Sequence, residues 1–227
     1  MKLVIVNGSP KRKLSNTSKL LEGFVAGYEE NRNCVFELFS VRDFEDQTNL
    51  SQMINKADYI LLAFPLYTNA MQGRVKRFLE MLTLLSQTSK ESNPKLLFLI
   101  QSGFPEALHS RVVERYLEKL CKRLNCEYMG TIIRGGIDTI NQSLPSFLSG
   151  RVICFFQNQM KKIGKKFGET GELDQKLLKQ IAFPEKLPWI VILFFKIYAF
   201  FGVHYFGFDS VLKENNMWSN RDATPYV

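Results

Sequence analysis

Five short apolar runs, separated by segments with helical periodicity, constrain the fold of this 227-residue chain more than any other feature. The runs are Leu3–Val6, Cys34–Phe39, Tyr59–Phe64, Lys95–Ile100 and Glu127–Ile133. The third, Tyr59-Ile60-Leu61-Leu62-Ala63-Phe64, is almost continuously apolar, the pattern of a parallel strand covered by helices on both faces. Between the runs, Leu20, Leu21, Phe24 and Val25 recur at helical spacing over 16–29, and Val75, Phe78, Leu79 and Leu82 do so after the third run. A helix from His109 to Leu124 is expected to bury Val112, Val113, Tyr116, Leu117 and Leu120, and a short one is expected over Leu50–Lys56. Parallel neighbours need crossover connections, usually helical and almost always right-handed. The expectation is an α/β protein with a doubly wound five-stranded parallel sheet, order 2-1-3-4-5.

In such a sheet the loops at the carboxyl ends of the strands meet at the switch point, where ligands bind. Residues 8–17, 65–73 and 101–106 are therefore expected to converge. The first of these loops, Asn7-Gly8-Ser9-Pro10-Lys11-Arg12-Lys13-Leu14-Ser15-Asn16-Thr17, leads from a strand into a helix. A helix N-terminus has unpartnered N–H groups and the positive end of the helix dipole, so it suits a phosphate. Ser9, Ser15, Asn16 and Thr17 add donors, Gly8 eases the turn, and Lys11, Arg12 and Lys13 attract anions at long range. The same residues also read as an ordinary N-cap after an ordinary turn. Neither G-x-G-x-x-G nor G-x-x-x-x-G-K-[ST] is present.

The hydrophobic fraction of 45% and charged fraction of 23% fit a globular protein. A formal net charge of +8 favours anionic partners, but no recognition helix, zinc or RNA-binding motif accompanies it, so nucleic acid is not expected. Cys34, Cys121, Cys126 and Cys154 contain no C-x-x-C pair, which argues against a metal cluster or disulfide framework and for a reducing, cytoplasmic setting. The first apolar run is too short for a signal peptide. His109 and His204 are too far apart in the chain to suggest a metal site or a Ser/His relay.

With the three loops in view, residues 1–140 resemble the flavodoxin-like NAD(P)H-dependent FMN reductases, a group that includes quinone reductases. Gly8-Ser9-Pro10 with Ser15-Asn16-Thr17 is similar to the family's FMN phosphate loop, and Phe64-Pro65-Leu66-Tyr67 leading to Gln72-Gly73 is similar to its second flavin loop. The resemblance implies that Ser9, Lys11, Ser15, Asn16 and Thr17 hold the FMN phosphate. It implies that Pro65, Leu66, Tyr67, Thr68 and Asn69 line the isoalloxazine, with Tyr67 as an aromatic wall and Thr68, Asn69 and Ala70 offering amides. Ser102, Gly103 and Phe104 would close the far side. The implied cofactors are FMN and NAD(P)H, the implied activity is reduction of a quinone, flavin or other small acceptor, and no nucleophile, general base or metal is called for. Met71-Gln72-Gly73 departs from the Met-Pro-Gly expected of closer relatives, and Gln101-Ser102-Gly103-Phe104-Pro105 carries a single glycine. Two other readings remain: a flavodoxin-type electron carrier, which the positive charge disfavours, and a membrane-peripheral binding protein without flavin.

Composition places a division near residue 145, with 1–145 as the flavin domain and 146–227 as a helical extension. Lys161, Lys162, Lys165 and Lys166 fall on a helix starting near Ser146, and Gly171–Ile181 continues as a second piece. Leu187–Val203 is apolar except for Lys196, which makes a membrane span the last choice. Burial against a partner subunit or the chain itself ranks first, giving an expected homodimer, and a peripheral membrane contact through 187–208 ranks second.

Overall fold

The computed structural model describes residues 1–11, 15–44, 50–51, 56–67, 70–88, 94–137, 146–194 and 197. Its strands are β1 (Lys2–Asn7), β2 (Val35–Ser40), β3 (Tyr59–Leu66), β4 (Lys95–Ser102) and β5 (Tyr128–Arg134). All neighbours pair in parallel in the order β2-β1-β3-β4-β5, as the alternation of apolar runs and helical segments implies. Ile5 pairs with Leu38 on one side and Leu61 on the other, and Leu61 in turn with Leu97.

The helices are α1 (Asn16–Tyr28), α2 (Gly73–Thr88), α3 (Leu108–Arg123), α4 (Ser146–Thr170) and α5 (Gln175–Ile181). Successive strand residues point to opposite faces, so the sheet feeds two cores. Val4, Val6, Ile60, Leu62, Phe98 and Ile100 pack beneath α2 and α3, whereas Leu3, Ile5, Leu61, Ala63, Leu97 and Leu99 pack beneath α1, α4 and α5. Burial on both faces explains why the central strands read as unbroken apolar runs.

Two strands run further than their apolar runs. Pro65 and Leu66 belong to β3 and pair with Gln101 and Ser102, the last residues of β4. The β1 partner register ends at Ala63, so Pro65 sits where β3 has a strand neighbour on one side only, a position that tolerates a missing N–H. In α3 the buried stripe is Val113, Leu117 and Cys121; Val112 and Tyr116, expected inside, are 62% and 46% exposed. Of the short helix expected over Leu50–Lys56, Leu50 and Ser51 are helical and Gln52–Asn55 lie outside the described residues.

The chain divides into two compact units, Met1–Lys186 and Leu187–Val227. The helices that composition assigned to an extension, α4 and α5, are built into the first. Two contacts tie the segment after α5 to the start of α3. The first turn of α3 has no side-chain cap at Ala107, and the N–H groups of Ala107 and Leu108 donate instead to the carbonyls of Pro184 and Glu185. Arg111 then grips the Glu185 carboxylate with two bonds of 2.9 and 2.7 Å, which holds that carboxyl below its usual range. In the second unit, Trp189, Ile190, Leu193 and Phe194 are exposed on a helical turn begun at Pro188. Among the described residues no helix is long and apolar enough to cross a membrane.

α1 and α4 touch backbone to backbone. Gly23 and Gly27 on α1 meet the main chain of Gln157 and Lys161, and Gly164 on α4 meets the carbonyl of Phe24, so a Cβ at Gly27 or Gly164 would overlap main-chain atoms. Beside this crossing the rings of Phe24 and Phe167 lie 5.9 Å apart, and Tyr59 meets Phe167 edge-on at 5.2 Å. In an isolated helix Gly27→Ala would be favourable by about 1 kcal/mol. Here overpacking should reverse the sign, with a loss of about 1–3 kcal/mol in a urea unfolding titration.

Candidate functional site

The carboxyl edge of the sheet is where the expected loops come together. β1 ends at Asn7, whose amide organises everything after it. Its Oδ1 accepts the N–H of Ser9 at 2.9 Å, closing an Asx turn, and its Nδ2 donates to Ser18 Oγ at 2.9 Å. Gly8 donates its N–H to the carbonyl of Ala63 at 2.7 Å, tying the turn to β3. A Cβ at Gly8 would come within 2.7 Å of Val75 Cγ2 and 3.0 Å of Phe64 Cβ, so glycine is required here by close packing against β3 and α2.

Ser15 is the N-cap of α1: its Oγ accepts the N–H of Ser18 at 3.0 Å and lies 2.9 Å from Ser18 Oγ. The ordinary-cap reading of this serine therefore describes its position fully. Thr17 is different. It is completely buried, and its Oγ1 has no hydrogen-bond partner, at the start of a helix whose first turn carries no acidic residue. Ser9 is also buried, Asn16 is half-buried and Lys11 is exposed; Arg12 and Lys13 lie outside the described residues.

In the second loop, Tyr67 and Ala70 exchange both backbone bonds at 3.0 Å, forming a tight turn that leaves the Tyr67 side chain 46% exposed. Thr68 and Asn69, between them, lie outside the described residues. The N–H of Ala70, considered above as an amide for a ligand, is taken by the Tyr67 carbonyl. Pro65 and Leu66 are buried strand residues beneath this turn.

The third loop follows the end of β4. Ser102 is buried, and its hydroxyl donates to the carbonyl of Phe104 at 3.2 Å. Phe104 is 49% exposed, its ring 4.9 Å from that of His109, which in turn pairs with Glu106 at 3.0 Å. Gly103 is half-buried between them. The loop after β5 supports this one: Gly136 donates its N–H to Ser102 at 2.9 Å, and a Cβ at Gly135 would overlap the carbonyl of Phe104.

Arg134, at the end of β5, is a buried cation that the apolar-run analysis had no role for. Its guanidinium lies 3.8 Å from the centre of the Phe156 ring, and Nη1 donates to the carbonyls of Ile181 and Phe183 at 3.1 and 2.7 Å. It thus closes the C-terminal end of α5, where a cation suits the helix dipole. Burial pulls its pKa down to about 10, and it remains charged at neutral pH.

Among the described residues seven buried side-chain atoms lack a hydrogen-bond partner. Six of them, on Thr17, Arg42, Gln72, Gln101, Ser110 and Arg134, sit at this one edge; the seventh, on Gln159, is midway along α4. Unpaired buried polar groups are rare in folded proteins, and the edge on which these six gather is the one where doubly wound sheets bind ligands. Gln72 and Gln101 fall within the second and third loops read from the sequence, though neither was given a ligand role there. The signal for Gln101 is a long polar side chain where an apolar run ends, and for Gln72 its position just before the first residue of α2.

A doubly wound parallel sheet with a helix N-terminus, an exposed tyrosine turn and a propped phenylalanine at its switch point is the framework of a flavodoxin-like protein. The chain belongs to a family with this fold: the model of the NADPH-dependent FMN reductase family matches residues 1–133. It is thus a flavin oxidoreductase whose cofactors are FMN and NAD(P)H. Among solved structures, the FMN-dependent NADH-azoreductase from Bacillus anthracis in complex with FMN is 14% identical, with a TM-score of 0.57 over 74% of this chain and all of that one. The azoreductase AzrA is 16% identical, with a TM-score of 0.56 and the same coverage. An NADPH-quinone reductase from P. pentosaceus is 16% identical, with a TM-score of 0.51 over 69% of this chain and 96% of that one. At these identities the likeness is one of fold. No curated protein matches the chain.

The residues present fit an FMN phosphate at α1, because the orphaned Thr17 hydroxyl and an N-terminal turn without acids both await an anion. Ser15 and Thr17 should separate cap from ligand contact. Ser15→Ala should destabilise the fold by about 1 kcal/mol through the lost cap. Thr17→Val should leave the flavin-free protein as stable or up to about 1 kcal/mol more so, since it removes an unpaired buried hydroxyl, yet weaken FMN retention about fivefold. Unfolding titrations with and without FMN measure both effects.

Proposed function

We propose that this protein catalyses hydride transfer from NAD(P)H through bound FMN to a quinone, a flavin or another small acceptor. The reading is supported above all by the orphaned polar atoms of the carboxyl edge, Thr17 Oγ1 in the first turn of α1 and those of Gln72 and Gln101 at the neighbouring strand ends and loops. FMN, when bound, supplies the redox chemistry, taking up a hydride equivalent and passing it on.

The chain's own residues bind and orient. In this reading Thr17, with Ser9 and Asn16, holds the flavin phosphate at the start of α1, Ser15 caps that helix, and Lys11 adds positive charge. The exposed ring of Tyr67, raised on the Pro65-Leu66 strand end, forms one wall, Thr68 and Asn69 offer amides, and Ser102, Gly103 and Phe104 form the other side. Two aromatic rings with about half their surface exposed suit a planar ring system that is displaced and re-bound in alternation with the nicotinamide. The Ser102 hydroxyl, bonded to Phe104, shapes this wall more than it contacts a ligand.

The visible spectrum of the purified protein tests the reading directly. A flavin spectrum that bleaches anaerobically on addition of NADPH and returns on addition of a quinone is expected. Bleaching only in the presence of a separate reductase would replace it with the electron-carrier reading, and colourless protein that takes up no FMN would remove flavin chemistry altogether.

We further infer a homodimer, favoured by Leu108, Val112 and Tyr116, which stand exposed at helical spacing along α3. Val112→Glu should shift the sedimentation coefficient from dimer to monomer without altering the unfolding midpoint by more than about 0.5 kcal/mol, as expected of an exposed site.

A further inference from the structure

The second compact unit, Leu187–Val227, opens on an apolar helix. The chain is helical from Trp189 to Phe194 and again at Ile197, and the turn is started by Pro188, whose carbonyl accepts the N–H groups of Val191 and Ile192 at 3.0 and 3.3 Å. Trp189, Ile190, Ile192, Leu193, Phe194 and Ile197 are all exposed, Trp189 and Phe194 by 73% and 68%. Leu187–Phe195 contains no charged side chain.

The width of this surface decides what can cover it. Successive helix residues turn by about 100°, so the six exposed side chains sweep an arc of roughly 200°. A groove on a protein, or a second helix, covers a stripe of roughly 100° and would leave part of this arc in water. A bilayer encloses all of it. Contiguous exposed apolar surface of this extent marks an interaction site.

The rest of the segment fits lipid. From Leu187 to Phe208 nine of 22 residues are aromatic, and Trp and Tyr in particular favour the boundary between headgroups and acyl chains. Between Glu185 and Asp209 there is no acidic residue; the charges there are Lys186 and Lys196, and the whole chain carries +8, complementary to an anionic surface. Lys196 also limits the depth of insertion. Midway through 187–208, it would be costly at the centre of a bilayer, but from the boundary its long side chain reaches the headgroups.

We propose that the segment beginning at Pro188 inserts into one face of an anionic lipid bilayer and attaches the protein to the membrane surface, lipid being the partner of the exposed apolar arc. Attachment of this kind does not need bound flavin, so it stands or falls apart from the redox chemistry.

Flotation of the full-length protein with phosphatidylcholine vesicles, with and without phosphatidylglycerol, is the test. The wild type should float with the mixed vesicles and less with phosphatidylcholine alone. Ile190→Ser/Phe194→Ser should lower the partition coefficient at least about tenfold, as removal of two large apolar side chains from lipid requires. The thermal midpoint should not change, since both positions are exposed. A second measurement reads the unaltered surface. In a Trp218→Phe background Trp189 is the remaining tryptophan, and its emission should shift to the blue with mixed vesicles. Lipids brominated near the headgroup should quench it more than lipids brominated near the chain end. Protein that floats with neither vesicle, or a double variant that floats as well as the wild type, would overturn the proposal. So would a double variant with a lowered thermal midpoint, which means that the chain itself covers the arc, or one with a lowered sedimentation coefficient, which means that a second copy does. Stronger quenching from the chain ends would replace insertion into one face with a spanning helix.

Discussion

The contact on which the site depends is the glycine-lined crossing of α1 and α4. An α-helix can present its N-terminus to a ligand only if its axis is fixed, and α1 is fixed by main chain against main chain at Gly23, Gly27 and Gly164. With no side chains between them, the two backbones leave little room for sliding, because any displacement meets the hard repulsion of carbonyl atoms. Glu30 reinforces the end of the crossing by pairing with both Lys161 and Lys165 at 2.9 Å, but these charges are partly solvated and add little. At the other end of α1, Asn7 and Ser15 converge on Ser18, so the strand end and the helix start share one hydrogen-bonded residue. Thr17 is thereby held still between a rigid strand and a rigid helix, which is what a preorganised anion contact requires.

How far each feature was legible follows from whether its cause is local. The parallel sheet and its order could be read because burial on both faces erases the alternation of apolar and polar residues, and that erasure is written in six-residue windows. The strand ends were less legible. Pro65, Gln101 and Ser102 look like loop residues, yet all three are in strands, because the neighbour that would have needed the proline N-H had already turned away. On α3 two apolar stripes compete, Val112 with Tyr116 and Val113 with Leu117. They lie about 100° apart, and hydropathy alone does not choose which faces the sheet. The integration of α4 was hidden for a different reason. The spacing of Gly23 with Gly27 and of Gly164 with Gly168 is visible in the sequence, but their pairing spans some 140 positions and leaves no local trace.

The site shows the same division. Ser15 was legible as a cap, since capping residues announce themselves by type and position. The importance of Asn7 and the orphaned Gln72 and Gln101 was not, because what sets them apart is the partner each has or lacks in three dimensions. Arg134 is the clearest case. Nothing near it in sequence calls for a buried cation; its partners, the carbonyls of Ile181 and Phe183, arrive almost fifty residues later.

A cluster of unpaired polar atoms is a statement about stability as well as about binding. Each buried donor or acceptor without a partner costs about 1–3 kcal/mol, and six at one edge form a deficit that the packing of two cores must offset. Not all of that deficit is alike. The guanidinium of Arg134 is bonded through Nη1 and stacked on Phe156, so its orphaned Nε is a residual cost of a structural clamp. The hydroxyl of Thr17 has no such second role, and neither does the buried Nε of Arg42. For these two groups an anion that binds the native fold and not the unfolded chain removes the cost and adds its own mass-action stabilisation. The α1–α4 crossing behind this edge, main chain against main chain, holds these groups in place whether or not a ligand is bound.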